Sequence, residues 1–417
     1  MSGHAPPDAT TDTSGPPPTE LVCLGESMVT FLPGRPGRLA DVPAFTRAIG
    51  GAESNVACAL AAAGHRVRWV GRVGRDGFGD HLVETIGAYG VDVGAVRRDP
   101  HRPTGVYFRT ATDRATDAHE VVYYRAGSAA SAMSPATVPY ASVADARILH
   151  LTGITAALSA DCLALMRELT APRPGRPLVS FDVNHRPGLW GRGAGVAAEV
   201  LLELARRADL VFVGADEAEV LWGVADPVAI RGVLPEPAGL VVKGGGEGAV
   251  VFERCAGSFP TPPLPEPGLR PGPRSSNSPY AWRRGGTPRR AGSAAHRAPD
   301  TVTHAPAPRV DIVAPVGAGD AFAAGFLSAT LRGLDARARL RHGHLMAAAA
   351  LTVPGDLATP PRRDHADRLA ALDEAAWGTL HLGPGWTVRQ GPDQAGDYDG
   401  PDPTGGHQGP DQEVRTP

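Results

Sequence analysis

The stretch VDIVAPVGAGDAFAAGFLSATL, residues 310–331, decides how this chain folds. Val310–Val313 reads as a strand, Gly317-Ala318-Gly319-Asp320 as a glycine turn, and Ala321–Leu331 as a long apolar helix. The first amides of a helix have no partner inside it and point outward at the positive end of its dipole. A strand, a glycine turn and a helix start in that order make an anion site suited to a phosphate. Asp320, in the first turn, has two readings. It is a helix cap, or it is a carboxylate beside the anion site that accepts the proton of an attacking hydroxyl.

The alternation recurs outward from there. Leu21–Leu24, Arg68–Val73, Arg147–Leu151, Leu178–Asp182, Leu210–Val213 and Leu240–Val242 are short apolar runs bounded by turn residues, the mark of buried strands. Between them Ala52–Ala63, Phe78–Tyr89, Ala160–Leu169, Ala197–Arg207 and Asp216–Trp222 carry apolar positions at helical spacing. This pattern predicts an α/β fold: a doubly wound, mostly parallel sheet flanked by helices. Thr104–Thr110 and Glu120–Arg125 instead alternate apolar and polar residues with no helix between. They predict a hairpin in a small antiparallel β lid, drawn from about residues 33–50 and 100–126. In open α/β sheets the ligand crevice lies at the carboxyl ends of the strands, where such a lid would cover it.

Composition sets the limits of the folded part. The chain has 417 residues, 41 basic and 44 acidic, which argues against a nucleic-acid partner held by general charge. Three segments are too poor in apolar residues to order themselves: an N-terminal tail over 1–19, an insertion over 256–300 and an acidic C-terminal tail over 386–417. The insertion holds ten Pro and seven Arg against two acids, and Gly391–Pro417 holds six acids against Arg415. One domain over 20–385 remains. Lys243 is the only lysine and Val242 precedes it, so a GxxxxGK[ST] phosphate loop is excluded. Cys23, Cys58, Cys162 and Cys255 form no CxxC pair and read as free thiols. Met1–Thr19 has five Pro and no apolar core, unlike a signal peptide, and no apolar run reaches the ~18 residues of a membrane span. The expectation is a cytoplasmic protein with no membrane partner.

Four further stretches carry candidate chemistry. Gly50-Gly51-Ala52-Glu53-Ser54-Asn55 leads into a helix, and Asn55 can both donate and accept towards a polyol; a plain capped turn is the alternative. Tyr123-Tyr124-Arg125 ends a lid strand, with Tyr123 and Arg125 on one face, fit for an anionic hydroxylated ligand or merely a solvated edge. Asp182-Val183-Asn184-His185-Arg186 follows a buried strand, and Arg186 there could clamp a carboxylate or phosphate or only cap the sheet. Lys243 ends another strand before Gly244–Gly246, consistent with a backbone passing close to a flat nucleotide.

Together these segments resemble the PfkB (ribokinase-like) carbohydrate kinases, and within them the 2-dehydro-3-deoxygluconate kinases. The resemblance rests on Gly25-Glu26, GGAESNVA at 50–57, VGRVGRDGFG at 70–79, YYRAGSAAS at 123–131 and HLTGITAALS at 150–159. FDVNHRPGLW at 181–190, VVKGGGEGA at 241–249 and PVGAGDAFAAGF at 315–326 complete it. It implies transfer of the ATP γ-phosphate to a sugar hydroxyl, with Asp320 as catalytic base and the amides of Gly317, Ala318, Gly319 and Asp320 as anion hole. It further implies substrate contacts from Gly51, Ala52, Glu53, Ser54, Asn55, Tyr107, Tyr123, Tyr124, Arg125, Arg186 and Asp356. ATP contacts are implied for Asn184, His185, Arg186, Lys243, Gly245 and Gly248, and a link to magnesium for Glu217. Tyrosines and arginines suit the carboxylate and hydroxyls of a 3-deoxy-2-keto sugar acid.

Two positions depart from the family. Ala314 stands where an aspartate usually helps hold a monovalent cation, so cation activation is not implied here, and Gly214 replaces the asparagine of NxxE. The alternatives are a fructokinase or another PfkB sugar kinase, or a sugar-acid-binding relative impaired at those two positions. The resemblance also suggests a homo-oligomer paired through the lid edges.

Overall fold

The computed structural model describes residues 18–35, 37–110, 121–191, 194–254 and 299–388. Most of both tails and of the insertion, Cys255 and residues 111–120, Glu120 among them, lie outside the described residues.

Eight strands form the main sheet, in the order Thr301–Ala305, Ala249–Glu253, Gly239–Lys243, Leu210–Gly214, Leu178–Asp182, Ile148–Thr152, Leu21–Leu24 and Val67–Val70. The pairings from Gly239–Lys243 through to Val67–Val70 are parallel, and the two strands beyond Gly239–Lys243 are antiparallel. The period of two is visible in what each side chain touches. Leu21 and Cys23 enter one core and Val22 and Leu24 the other; Leu210 and Phe212 part from Val211 and Val213 in the same way. Strands buried on both faces have no polar side, which is why they read as continuous apolar runs.

Helices Ala52–Ala62, Gly77–Ala88 and Ala318–Leu331 cover the first face, and Ala160–Thr170, Ala194–Arg207 and Ala215–Trp222 the second. Ala318–Leu331 is apolar nearly all round because it is enclosed between the sheet and helix Ala336–Leu351. Phe326 meets Phe212 of the sheet edge-to-face at 5.4 Å. On its other side the two helices approach so closely that a β-carbon at Gly325 would lie 2.3 Å from the His342 carbonyl oxygen.

Three expectations are corrected. The run Arg68–Val73 breaks at Gly71, where a β-carbon would lie 2.5 Å from the Trp69 ring. Its first part joins the main sheet, while Arg72–Gly74 pairs with Arg97–Asp99 in a separate two-stranded sheet. Before the glycine turn only Arg309–Val310 is a strand, and it pairs with His381–Leu382 rather than with the main sheet. The lid is a four-stranded sheet, Phe45–Gly50, Met28–Pro33, Val106–Arg109 and Val121–Tyr124, antiparallel except for its central parallel pair. Met28–Pro33 therefore belongs to the lid, a strand that the alternation did not reveal.

Lid side chains divide by strand alternation. Tyr107 and Tyr123 pack together at 5.4 Å on the face towards the main sheet's strand ends. Phe31, Phe45, Phe108 and Tyr124 cluster on the other face, where Phe31 also meets Phe78 of the main body.

Gly325→Ala should lower stability by about 1–3 kcal/mol, because the added methyl must push apart the two helices behind the glycine turn. Urea melts would read this directly, and an unchanged midpoint would mean that the contact is slack.

Candidate active site

The glycine turn closes onto a second loop. Gly317 has φ 76°, a left-handed conformation that favours glycine, and a β-carbon there would lie 2.4 Å from the Asp356 carbonyl oxygen. The helix begins at Ala318, so its first amides face the crevice, where Gly319 is exposed.

Asp320 stands half-buried in the first turn with an amide at each carboxylate oxygen. Asn55 Nδ2 donates to Oδ2 at 2.9 Å, and Asn184 Nδ2 lies 3.4 Å from Oδ1. Burial drives the Asp320 pKa up to about 7; Asp182 adds to the rise, while Asn55, Arg186 and Lys243 oppose it. A carboxylate near neutrality at an anion-binding helix start can accept a proton from a hydroxyl poised to attack.

Lys243 Nζ donates to both oxygens of Asp182, at 3.1 and 2.8 Å. Burial works against its charge, but Asp182, Glu217 and Asp320 outweigh that and raise its pKa. A β-carbon at Gly319 would sit 3.7 Å from this ammonium, so the sole lysine lies directly behind the anion turn.

Helix Ala52–Ala62 turns its first residues in different directions. Asn55 reaches Asp320, but Glu53 and Ser54 point into the protein, which corrects the expectation that both meet substrate. Glu53 is 0 % exposed and accepts from Thr152 and Thr155 hydroxyls at 2.8 and 2.7 Å. Burial raises its pKa to about 7, with the threonines opposing and Asp320 adding a little. Ser54 Oγ donates to Ser27 Oγ at 2.9 Å. Gly51 brings the backbone close, since a β-carbon there would lie 2.4 Å from the Glu26 carbonyl oxygen. Ala52 is buried at the helix start.

Each buried lid arginine is matched by a carboxylate. Arg125 pairs with Glu26, which also accepts from Ser128 Oγ at 2.7 Å, and the guanidinium lies 5.6 Å from the centre of the Tyr123 ring. Arg109 Nη1 meets Asp356 Oδ1 at 2.8 Å while the Tyr107 hydroxyl donates to Asp356 Oδ2 at 2.8 Å. Burial raises the pKa of both Glu26 and Asp356, and their arginines and hydroxyl donors oppose it. Sequence reasoning missed Arg109 and quoted Glu26 without giving it a role; Arg109 lies two residues past Tyr107, on the same strand face, and that period was the available signal. Tyr124 does not join Tyr107 and Tyr123, because alternation turns it outward, 63 % exposed.

On the far side of Asp320, Arg186 is exposed and donates to the His185 carbonyl at 3.1 Å. The His185 amide donates to Glu217 Oε1 at 2.9 Å and the Gly214 amide to Glu217 Oε2 at 2.8 Å. Both Glu217 oxygens thus tie backbone together, and no group of three His, Cys, Asp or Glu side chains able to hold a metal occurs among the described residues. These residues do not form a resident magnesium cage. Gly245 is exposed past the end of the Lys243 strand, whereas Gly248 is buried in the turn, where a β-carbon would lie 2.4 Å from the Ala305 carbonyl oxygen.

Known proteins share this architecture. The model of the pfkB family carbohydrate kinases matches residues 18–267 and 290–363. A 2-dehydro-3-deoxygluconokinase of Bacillus subtilis is 32 % identical over 353 residues, 83 % of this chain and 93 % of that protein. One from Thermoproteus tenax is 31 % identical over 355 residues, 84 % and 94 % of the two chains. The crystal structure of a PfkB protein from Polaromonas sp. JS666 superposes with a TM-score of 0.65 at 30 % identity, covering 84 % of this chain and 99 % of that one.

Glu53 supplies a test of the buried electrostatics. Its folded pKa lies above the ordinary value of 4.5, so its neutral form favours folding below that pH and this contribution is lost as pH rises towards about 7. Glu53→Gln should flatten the fall in stability across that window, as read in urea melts at several pH values. An unchanged slope would place its titration elsewhere. With the family model matched over most of its length and two relatives above 30 % identity covered nearly end to end, this protein belongs to the pfkB family of carbohydrate kinases.

Proposed function

We propose that the protein phosphorylates 2-dehydro-3-deoxygluconate on its terminal hydroxyl, using ATP and giving the 6-phosphate. The observation that carries this reading is the Asp320 carboxylate, held by amides beside the unpartnered helix N–H groups and raised by burial towards neutrality. In the proposed step Asp320 takes the hydroxyl proton as the sugar oxygen forms a bond to the γ-phosphorus. The bond from that phosphorus to the β,γ-bridging oxygen breaks, and ADP leaves with its electron pair. The amides of Gly317–Asp320 face the charge on the migrating group, and the ammonium of Lys243 adds positive charge from behind the turn.

Three features support an acidic substrate. Arg186 is exposed at the crevice and has no carboxylate within ion-pair distance among the described residues. Tyr123 offers an exposed ring and hydroxyl on the lid face opposite, beside the Tyr107 and Arg125 side chains that Asp356 and Glu26 hold in place. The two relatives described above carry the matching name. Magnesium enters as part of the nucleotide substrate, on its phosphates and waters, and neutralises their charge.

Asp320→Ala should reduce turnover by about 10²–10⁴-fold while sugar binding stays nearly intact. Initial rates of ADP release over a panel of sugars test the substrate. Arg186→Ala should raise KM for the keto acid by about tenfold or more and change that for neutral sugars far less. Faster use of fructose or ribose by the unmodified enzyme would redirect the reading to another sugar kinase, and binding without any ADP would mark a non-catalytic relative.

A further inference from the structure

Asn184 is the one non-glycine residue with a left-handed backbone among those described, at φ 41°. Its neighbours hold it there. The Val183 amide donates to the Phe212 carbonyl at 3.0 Å, and the His185 amide donates to Glu217 Oε1 at 2.9 Å. The residue is 6 % exposed, and its side-chain amide nitrogen lies 3.4 Å from Asp320 Oδ1. Asn55 holds the other oxygen from the opposite side at 2.9 Å. An asparagine kept in this rare conformation by two flanking hydrogen bonds, with its amide turned to a reacting group, is poorly explained as packing alone.

We propose that Asn184 is a positioning residue for Asp320: together with Asn55 it fixes the carboxylate's orientation and favours its ionised form. The resemblance assigns Asn184 to the nucleotide, whereas the geometry points its amide at the base. The inference rests on the reading of Asp320 as that base. Long catalytic hydrogen bonds of free enzymes tighten when substrate arrives, and the 3.4 Å contact has room to do so. The charged groups around Asp320 are the carboxylates of Asp182 and Glu53, the Lys243 ammonium and the Arg186 guanidinium. None of them is altered by a substitution at 184.

Two variants test this. Asn184→Gly accepts the positive φ and removes only the amide; Asn184→Asp keeps the shape and sets a second carboxylate against Asp320. Rates and both KM values are measured over about pH 5.5–9 on the full chain, with thermal melts alongside. Losing a donor to the ionised form raises the pKa of the base, so activity should fail at a higher pH as acid is added. Asn184→Gly should move this acid limb up by about half a unit to one unit, and Asn184→Asp further. Turnover at the optimum should drop about tenfold, with KM for ATP and sugar changed less than about threefold.

An unmoved limb with near-normal turnover overturns the proposal, as does a rise in KM for ATP alone, which would make Asn184 a nucleotide contact. If Asn184→Gly melts early, Asn184→Asp carries the same pH test. Asp320→Asn in the same assay separates the two claims. An inactive Asp320→Asn beside an unmoved limb removes only the role of Asn184, and an active one removes the base and this inference together.

Discussion

A helix enclosed by the core still leaves its first amides without partners inside it, here with no side-chain cap, and the site depends on that constraint. Ala318–Leu331 is apolar nearly throughout, and the sheet, Ala336–Leu351 and Ala52–Ala62 enclose it. Its unsatisfied amides and its one early carboxylate therefore emerge at a single place, the carboxyl end of the sheet. Burial that stabilises the helix also strips water from Asp320, so fold stability and the raised pKa come from the same packing.

Charge around the site is arranged in matched sets. Arg125 faces Glu26, Arg109 faces Asp356, and Lys243 faces Asp182. Removing water from two charges costs about as much as their attraction returns, so such pairs are better suited to fixing geometry than to adding stability. Here each ties separate parts of the chain together. Asp356 links the lid strand Val106–Arg109 to the loop pressed against Gly317, so the lid and the anion turn share a support.

Much of this was legible in the sequence, for identifiable reasons. Buried parallel strands are short apolar runs, and Leu21–Leu24 and Leu178–Asp182 were readable to the residue. The glycine turn with Asp320 was readable because glycine, helix start and acid fall in one place. The strand Met28–Pro33 was not, since MVTFLP does not alternate cleanly between apolar and polar residues. Side-chain direction was least accessible: GGAESN does not say that Glu53 dives towards Thr152 and Thr155, and YYR says that Tyr123 and Tyr124 part but not which one faces inward. Those choices are made by partners distant in sequence.

The lone lysine has a practical corollary. Apart from the α-amine, Lys243 is the only primary amine in the chain, and it stands behind the anion turn, salt-bridged to Asp182. Acylating reagents aimed at amines would thus report on one internal address, and shielding by a bound nucleotide could be followed there without engineering a label.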